Sequence, residues 1–402
     1  MGSTAAEVAF FTDATLERAE IDRFLDPQAP SWAQFDSALG YLPHDSLVPD
    51  NIDGALSEYR YGEFGERLQI NHADRSTRIN TYGDSFTQCH QVSDGETWQE
   101  VLAAHIGEPI RNFGVGGFGV YQAVERMRRV EASAASAQYI VLNIYLDDHY
   151  RNLDAYRLLR LGRWWRDYDR SLTTSMFHAN PWRHVRIDPA TMALVPQENI
   201  CPTPDSLYNL CDTDFLVDAF GHDFVAQKLI ADQSGDYRYL AEHEDLARAL
   251  SIDFRPDTAP RETAHALWEG AAFRASELIL ASLKGELQAA GKRLLVALTY
   301  PADEVARYIS TGERTDQSFV EALMQLGIPV IDGLQLHADD YRDFSIAPDA
   351  YTDRFWAGHY TPLGNAHFAF MIKRRLVEWL DPAPPAYDDR QASFATQAGR
   401  LA

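Results

Sequence analysis

The stretch Gln138 to Leu146, Gln-Tyr-Ile-Val-Leu-Asn-Ile-Tyr-Leu, restricts the fold of this chain more than any other segment. Its nearly continuous apolar character suits a strand buried on both faces, the condition of a central strand in a parallel sheet with helices on either side. The segments before it alternate accordingly. Arg78 to Tyr82 is predicted as a strand, Thr97 to Ile106 as a helix, Pro109 to Phe113 as a strand and Tyr121 to Glu131 as a helix. After Leu146 the rhythm stops until a helix from about Glu262 to Ala290, then resumes with a strand over Arg293 to Thr299. Helices follow around Asp303 to Ile309 and Asp316 to Leu326, then a strand at Ile328 to Asp332 and a last helix from Leu363 to about Leu380. The expected fold class is α/β, a three-layer α/β/α sandwich around a parallel sheet of about five strands.

Four regions follow. Residues 1–75 form an amino-terminal extension, 76–150 and 256–385 the core, 151–255 an insertion leaving the carboxyl end of the central strand, and 386–402 a tail. The insertion is rich in aromatic, arginine and histidine residues, including Trp164, Trp165, His178, Trp182 and His184. An insertion at that edge is expected to border the active cleft.

A formal charge of −23 over 402 residues opposes binding to nucleic acid or to an anionic membrane surface. No run of about 18 uncharged apolar residues is present, so no membrane span is expected. The acidic start, with Glu7, Asp13, Glu17 and Glu20, is unlike a secretory signal, and a cytoplasmic location is the expectation. Cys89, Cys201 and Cys211 have no metal-ligand spacing and read as reduced thiols, with a Cys201–Cys211 bridge left open. Cys89 reads as a packing residue. Asp147-Asp-His149 lacks the partner motif that a metal site needs.

Chemistry concentrates in three places. Thr81-Tyr-Gly-Asp-Ser-Phe-Thr87 puts a serine in a tight turn between a strand and a helix, where backbone N–H groups can face a developing oxyanion. Taken alone, such a serine is equally an N-cap. Asn112-Phe-Gly-Val-Gly-Gly117 follows the second strand, and a glycine N–H can approach the same edge. Gly358-His-Tyr-Thr-Pro-Leu-Gly-Asn365 places His359 before the last helix, within reach of Ser85 as a general base.

In this order the three blocks resemble the SGNH, or GDSL-type, hydrolase family, over about Arg78 to Leu146 and Arg293 to Leu380. The resemblance implies Ser85 as nucleophile, His359 as base, and an oxyanion hole formed by the N–H groups of Ser85 and Gly117. It also marks two departures. The family's oxyanion Asn position holds Asp147, and an ionised carboxylate cannot donate a hydrogen bond. Protonation of Asp147, a donor such as His149 or Asn152, or the two N–H groups alone would answer this. The family's acid, three residues before the histidine, is replaced by Trp356, leaving a Ser85–His359 dyad with Asp353 as the nearest carboxylate able to orient the imidazole.

The expected activity is serine-dependent hydrolysis of a carboxylic ester through an acyl-enzyme, without a metal or cofactor. A saccharide or other polar ester is the expected partner, since aromatic faces pack on sugar rings and arginines bind anionic groups. Acyl transfer by the same Ser and His, a catalytically impaired binding protein, and a dinucleotide enzyme using Gly114, Gly116 and Gly119 are the alternatives. In the last, acids usually follow the glycines by ~20 residues, whereas Asp147 and Asp148 lie about 30 beyond them.

Overall fold

The computed structural model of the protein describes residues 4–387 except 30, 51, 53, 163–179 and 256. Five strands form its central sheet: β1 (Ile79–Tyr82), β2 (Arg111–Asn112), β3 (Tyr139–Tyr145), β4 (Arg293–Thr299) and β5 (Val330–Asp332). All pairings are parallel and the spatial order is β5-β4-β3-β1-β2. The apolar run takes the middle position, where Val141 lies between Thr81 and Leu295 and every residue from Tyr139 to Ile144 is buried. The second strand is shorter than its sequence predicts, because Phe113 and Val115 leave the ladder yet still donate to the Thr81 and Gly83 carbonyls.

Helices cover both faces. After α1 (Ser85–Gln88), α2 (Trp98–Ile106) crosses from β1 to β2 and α3 (Val120–Glu131) returns to β3. Right-handed crossovers running in opposite directions put these helices on opposite faces. The long α4 (Pro260–Ala289), with proline in its first turn, packs on α3. The last helix, α5 (Pro362–Trp379), packs on α2, with Trp98 edge-on to Phe368 at 5.7 Å. Between β1 and β3 the chain direction across the sheet reverses, which opens a crevice at their carboxyl ends.

The extension and the insertion share one core. The extension contains helices Ala5–Ala14 and Arg18–Leu25 and the antiparallel pairs Ala33–Asp36 with Gly40–Pro43 and Ser46–Pro49 with Leu56–Tyr59. Its Phe11 and Tyr41 pack in the same cluster as Trp182 and Phe220 of the insertion. The insertion, read from sequence as lacking a period, contains the pair His184–Ile187 with Leu194–Gln197 and helices Thr213–Phe220, Phe224–Ser234 and Glu244–Ala249. These helices are too short, and too closely separated by caps at Asp212 and Asp223, for a period to build up.

The extension also holds the segment that follows α1. Buried Arg67 donates from Nε to Asp94 (2.9 Å), from Nη1 to the Gln88 carbonyl (2.6 Å) and from Nη2 to the Val92 carbonyl (2.7 Å). Losing one partner of such a buried pair costs about 3–5 kcal/mol, since the other charge is stranded. No helix among the described residues is long and apolar enough to cross a membrane.

Candidate active site

Strand β1 ends at Tyr82, and the chain turns at Gly83 into α1. A Cβ on Gly83 would fall 2.3 Å from Thr87 Oγ1 and 2.4 Å from the Asn143 carbonyl oxygen of β3. Asp84 caps α1 by accepting from the Phe86 N–H at 2.9 Å, and Ser85 is the first helical residue. That N-terminal position leaves the Ser85 N–H without a helical acceptor. On the far side of the sheet edge, His359 sits in a two-residue hairpin, Trp356–Ala357 with His359–Tyr360, turned at Gly358 with φ +83°.

These two elements bring Ser85 Oγ to 2.9 Å from His359 Nε2. The Phe86 ring, stacked on Tyr145 at 4.5 Å, lies 5.3 Å from the imidazole and fixes its plane from one side. The other imidazole nitrogen, Nδ1, is 2.9 Å from Gln91 Oε1, which also accepts from the His359 backbone N–H at 2.9 Å. With its Oε1 already accepting from that N–H, Gln91 offers Nδ1 an acceptor, so the proton belongs on Nδ1 and the Nε2 lone pair faces Ser85.

Gln91, and not Asp353, is therefore the group that meets Nδ1 in this structure. Asp353 caps the short helix Pro348–Thr352 from the outside and is exposed. Trp356, at the family's acid position, is buried against Tyr360 at 4.8 Å and His337 at 5.0 Å. Gln91 itself has φ +73°, an uncommon conformation for a residue with a side chain. Four groups hold it there. Its N–H donates to the Tyr59 hydroxyl (2.7 Å), its carbonyl accepts from Ser57 Oγ (2.9 Å), its Nε2 donates to the Asp50 carbonyl (2.7 Å), and its Oε1 meets His359. The Asp50 carbonyl fixes which way the amide points.

Burial, and next the positive field of Arg151, push the His359 imidazole down to about 4. An amide orienter adds no negative charge to oppose this. The base form is the low-proton form, so kcat/KM for a reaction using His359 should hold from pH 8 to pH 5 and fall only as pH drops through about 4. Gln91→Ala should lower kcat on the order of 10- to 100-fold, whereas Asp353→Asn should leave both rate and acid limb unmoved. A pH–rate profile of the three proteins checks this, and an acid limb near 6.5 that Asp353→Asn displaces would return the orienting role to Asp353.

The glycine block packs tightly against the nucleophile turn. A Cβ on Gly114 would lie 2.1 Å from the Gln88 nitrogen, and the Gly116 N–H donates to Gln88 Oε1 at 2.6 Å. Gly114 donates to Asn112 Oδ1 at 2.9 Å. With those N–H groups engaged by the protein, the loop lacks the open row of donors that a pyrophosphate requires. Gly117, at φ +84°, has an N–H that meets no protein acceptor among the described residues. It is free for the oxyanion role expected of it.

Asp147 takes no such role. Its carboxylate accepts from Arg151 Nε (2.8 Å) and from Arg160 Nη1 and Nη2 (2.8 and 3.0 Å). Although burial opposes the charge, the two guanidinium groups hold it well below the usual carboxylate range. It is ionised and has no proton to donate. His149 and Asn152, the other candidate donors, both turn to Ser276 Oγ at 2.8 Å. Arg151 ties the site's floor together, donating from Nη1 to Asp84, Asp148 and the Phe118 carbonyl.

Cys89 is buried, and burial pushes its thiol up to about 12, in keeping with packing. All three cysteines are free. Trp182 and His184 are buried, Trp182 donating to the Asp154 carbonyl and packing in the core shared with the extension. Trp164, Trp165 and His178 lie outside the described residues. No group of three or more potential metal ligands occurs among the described residues. No protein-family model matches the chain, and no curated protein matches it.

Proposed function

We propose that the protein is a serine-dependent carboxylic ester hydrolase of the SGNH type. The observation that carries the reading is the 2.9 Å contact between Ser85 Oγ and His359 Nε2, with Nδ1 held by Gln91. A hydroxyl, a base and an orienting acceptor in line are the parts needed to activate a nucleophile at neutral pH. Ser85 Oγ attacks the acyl carbon and its proton passes to His359 Nε2. The C–O bond to the alcohol then breaks, and the same proton goes to the leaving oxygen. Water, deprotonated by His359, cleaves the acyl-enzyme to the acid and frees Ser85. The site's position at the carboxyl ends of β1 and β3 is where open α/β sheets bind ligands. Acyl transfer would use the same groups with an alcohol in place of water.

The test is to incubate the protein with short-chain p-nitrophenyl esters and with a fluorophosphonate, following p-nitrophenol release and the mass of the Ser85 peptide. Release of p-nitrophenol together with phosphonylation at Ser85 is the expected result. A folded protein that does neither would sink the proposal.

A further inference from the structure

Ester hydrolysis at Ser85 would raise a negative charge on the carbonyl oxygen, and the protein has lost one customary means of meeting it. Asp147 is ionised and occupied by Arg151 and Arg160, while His149 and Asn152 serve Ser276. A different donor lies beside the oxyanion glycine. Arg157 is only 7% exposed and its guanidinium meets the Tyr41 hydroxyl, yet its Nε and Nη1 find no acceptor among the described residues. Buried guanidinium groups are normally paired, because an uncompensated charge away from water is costly.

Its place is fixed by Gly117. A Cβ built on that glycine would fall 2.2 Å from Arg157 Nη1 and 2.6 Å from the Tyr41 hydroxyl, so only glycine lets the guanidinium come this close. Adding backbone bonds of about 1.5 Å each puts Nη1 within about 5.2 Å of the Gly117 nitrogen. Two donors sharing one oxygen at ~2.9 Å can stand up to ~5.8 Å apart, so one oxygen can accept from both. The Tyr41 hydroxyl donates to the Gly116 carbonyl at 2.8 Å and braces the loop against the guanidinium. Burial first, and then repulsion from Arg151 and Arg160, each already bound to carboxylates, lowers the pKa of Arg157, so it gains from any anion that arrives.

We propose that Arg157 is a catalytic residue that donates Nη1–H to the tetrahedral oxyanion beside the Gly117 N–H. The inference rests on the hydrolase reading. As Ser85 Oγ bonds to the acyl carbon, the carbonyl π pair moves onto oxygen, which accepts from Ser85 N–H, Gly117 N–H and Arg157 Nη1–H. The pair returns when the C–O bond to the alcohol breaks. Arg157 keeps its proton throughout, and the transferred proton stays on the Ser85–His359–leaving-group path.

The experiment compares the wild type, Ser85→Ala, Arg157→Met and Arg157→Lys on p-nitrophenyl acetate and on the acidic p-nitrophenyl succinate. Affinity for a trifluoromethyl ketone, which forms a tetrahedral adduct with the serine, is measured alongside. Arg157→Met should lower kcat on the order of 10²- to 10³-fold on both esters, as loss of one oxyanion donor does elsewhere, with KM within about threefold. The ketone's affinity should fall by the same factor, and Arg157→Lys should recover part of each loss. A merely structural role would not make kcat and ketone affinity move together at constant KM. A folded Arg157→Met, or Arg157→Ala if the first does not fold, with wild-type kcat would overturn the assignment. So would a loss confined to KM for the succinate ester, which would make Arg157 a seat for a substrate carboxylate. An active wild type with indifferent arginine variants defeats this inference alone, whereas a wild type without turnover or Ser85 labelling defeats the hydrolase reading and this inference together.

Discussion

Ser85→Ala and His359→Ala are each expected to lower kcat for ester hydrolysis by about 10⁴-fold or more, and the double variant to lose no more than either alone. The reason is that one hydrogen bond joins them. Ser85 Oγ has the His359 nitrogen at 2.9 Å and, more loosely, Asp84 Oδ2 at 3.3 Å. Without the base the hydroxyl stays a weak nucleophile, and without the hydroxyl the base has nothing to activate. Any residual rate would come from the N–H groups of Ser85 and Gly117 and from substrate positioning. Steady-state kinetics on the four proteins, with circular dichroism to confirm folding, provide the measurement. Losses that multiply in the double variant would mean that the two residues do not act as a unit.

The second large effect falls on stability. Gly83→Ala is expected to destabilise the fold by about 3–5 kcal/mol, combining backbone strain with overpacking. At φ +150° a Cβ is unfavourable in itself, and here it would press on the Asn143 carbonyl of the central strand as well as on Thr87. Backbone of the sheet cannot move aside without disturbing β3. Gly312, also at positive φ but with nothing within 4 Å of a built Cβ, is the control, and Gly312→Ala should cost about 1–2 kcal/mol. Urea denaturation of both variants would separate strain from crowding. Equal costs would show that the close approach of the turn to β3 contributes nothing.

The sheet was legible in the sequence because its signals are local. The nearly continuous apolar run of Tyr139–Tyr145 suits a central parallel strand, and the strand–helix alternation around it supplies the rest. Ser85, His359 and Gly117 could be singled out because each sits in a short motif at an element boundary. Gln91 could not, since its role depends on a left-handed backbone held by Asp50, Ser57 and Tyr59, residues more than 30 positions away. Proximity in sequence favoured Asp353, but its helix leads the side chain into solvent. The common core of extension and insertion was hidden for the same reason. Tyr41 and Trp182 stack at 6.1 Å across 141 positions, and neither segment alone has enough apolar periodicity to announce a partner. Arg157 carried no signal either, because an arginine's worth at a site depends on which neighbours are already taken.

The hydrogen bonds around Gln91 make the imidazole's orientation a property of the chain's first 60 residues, although both His359 and Ser85 belong to the sheet domain. In engineering terms, the sheet domain cannot be transplanted as a self-sufficient catalytic cassette. A graft beginning at β1 would carry the proposed nucleophile and base but leave behind Asp50, Ser57 and Tyr59, and with them the clamp that keeps the His359 proton on Nδ1. Under the proposed hydrolase reading, turnover would thus report on the integrity of a region that contributes no reacting atom.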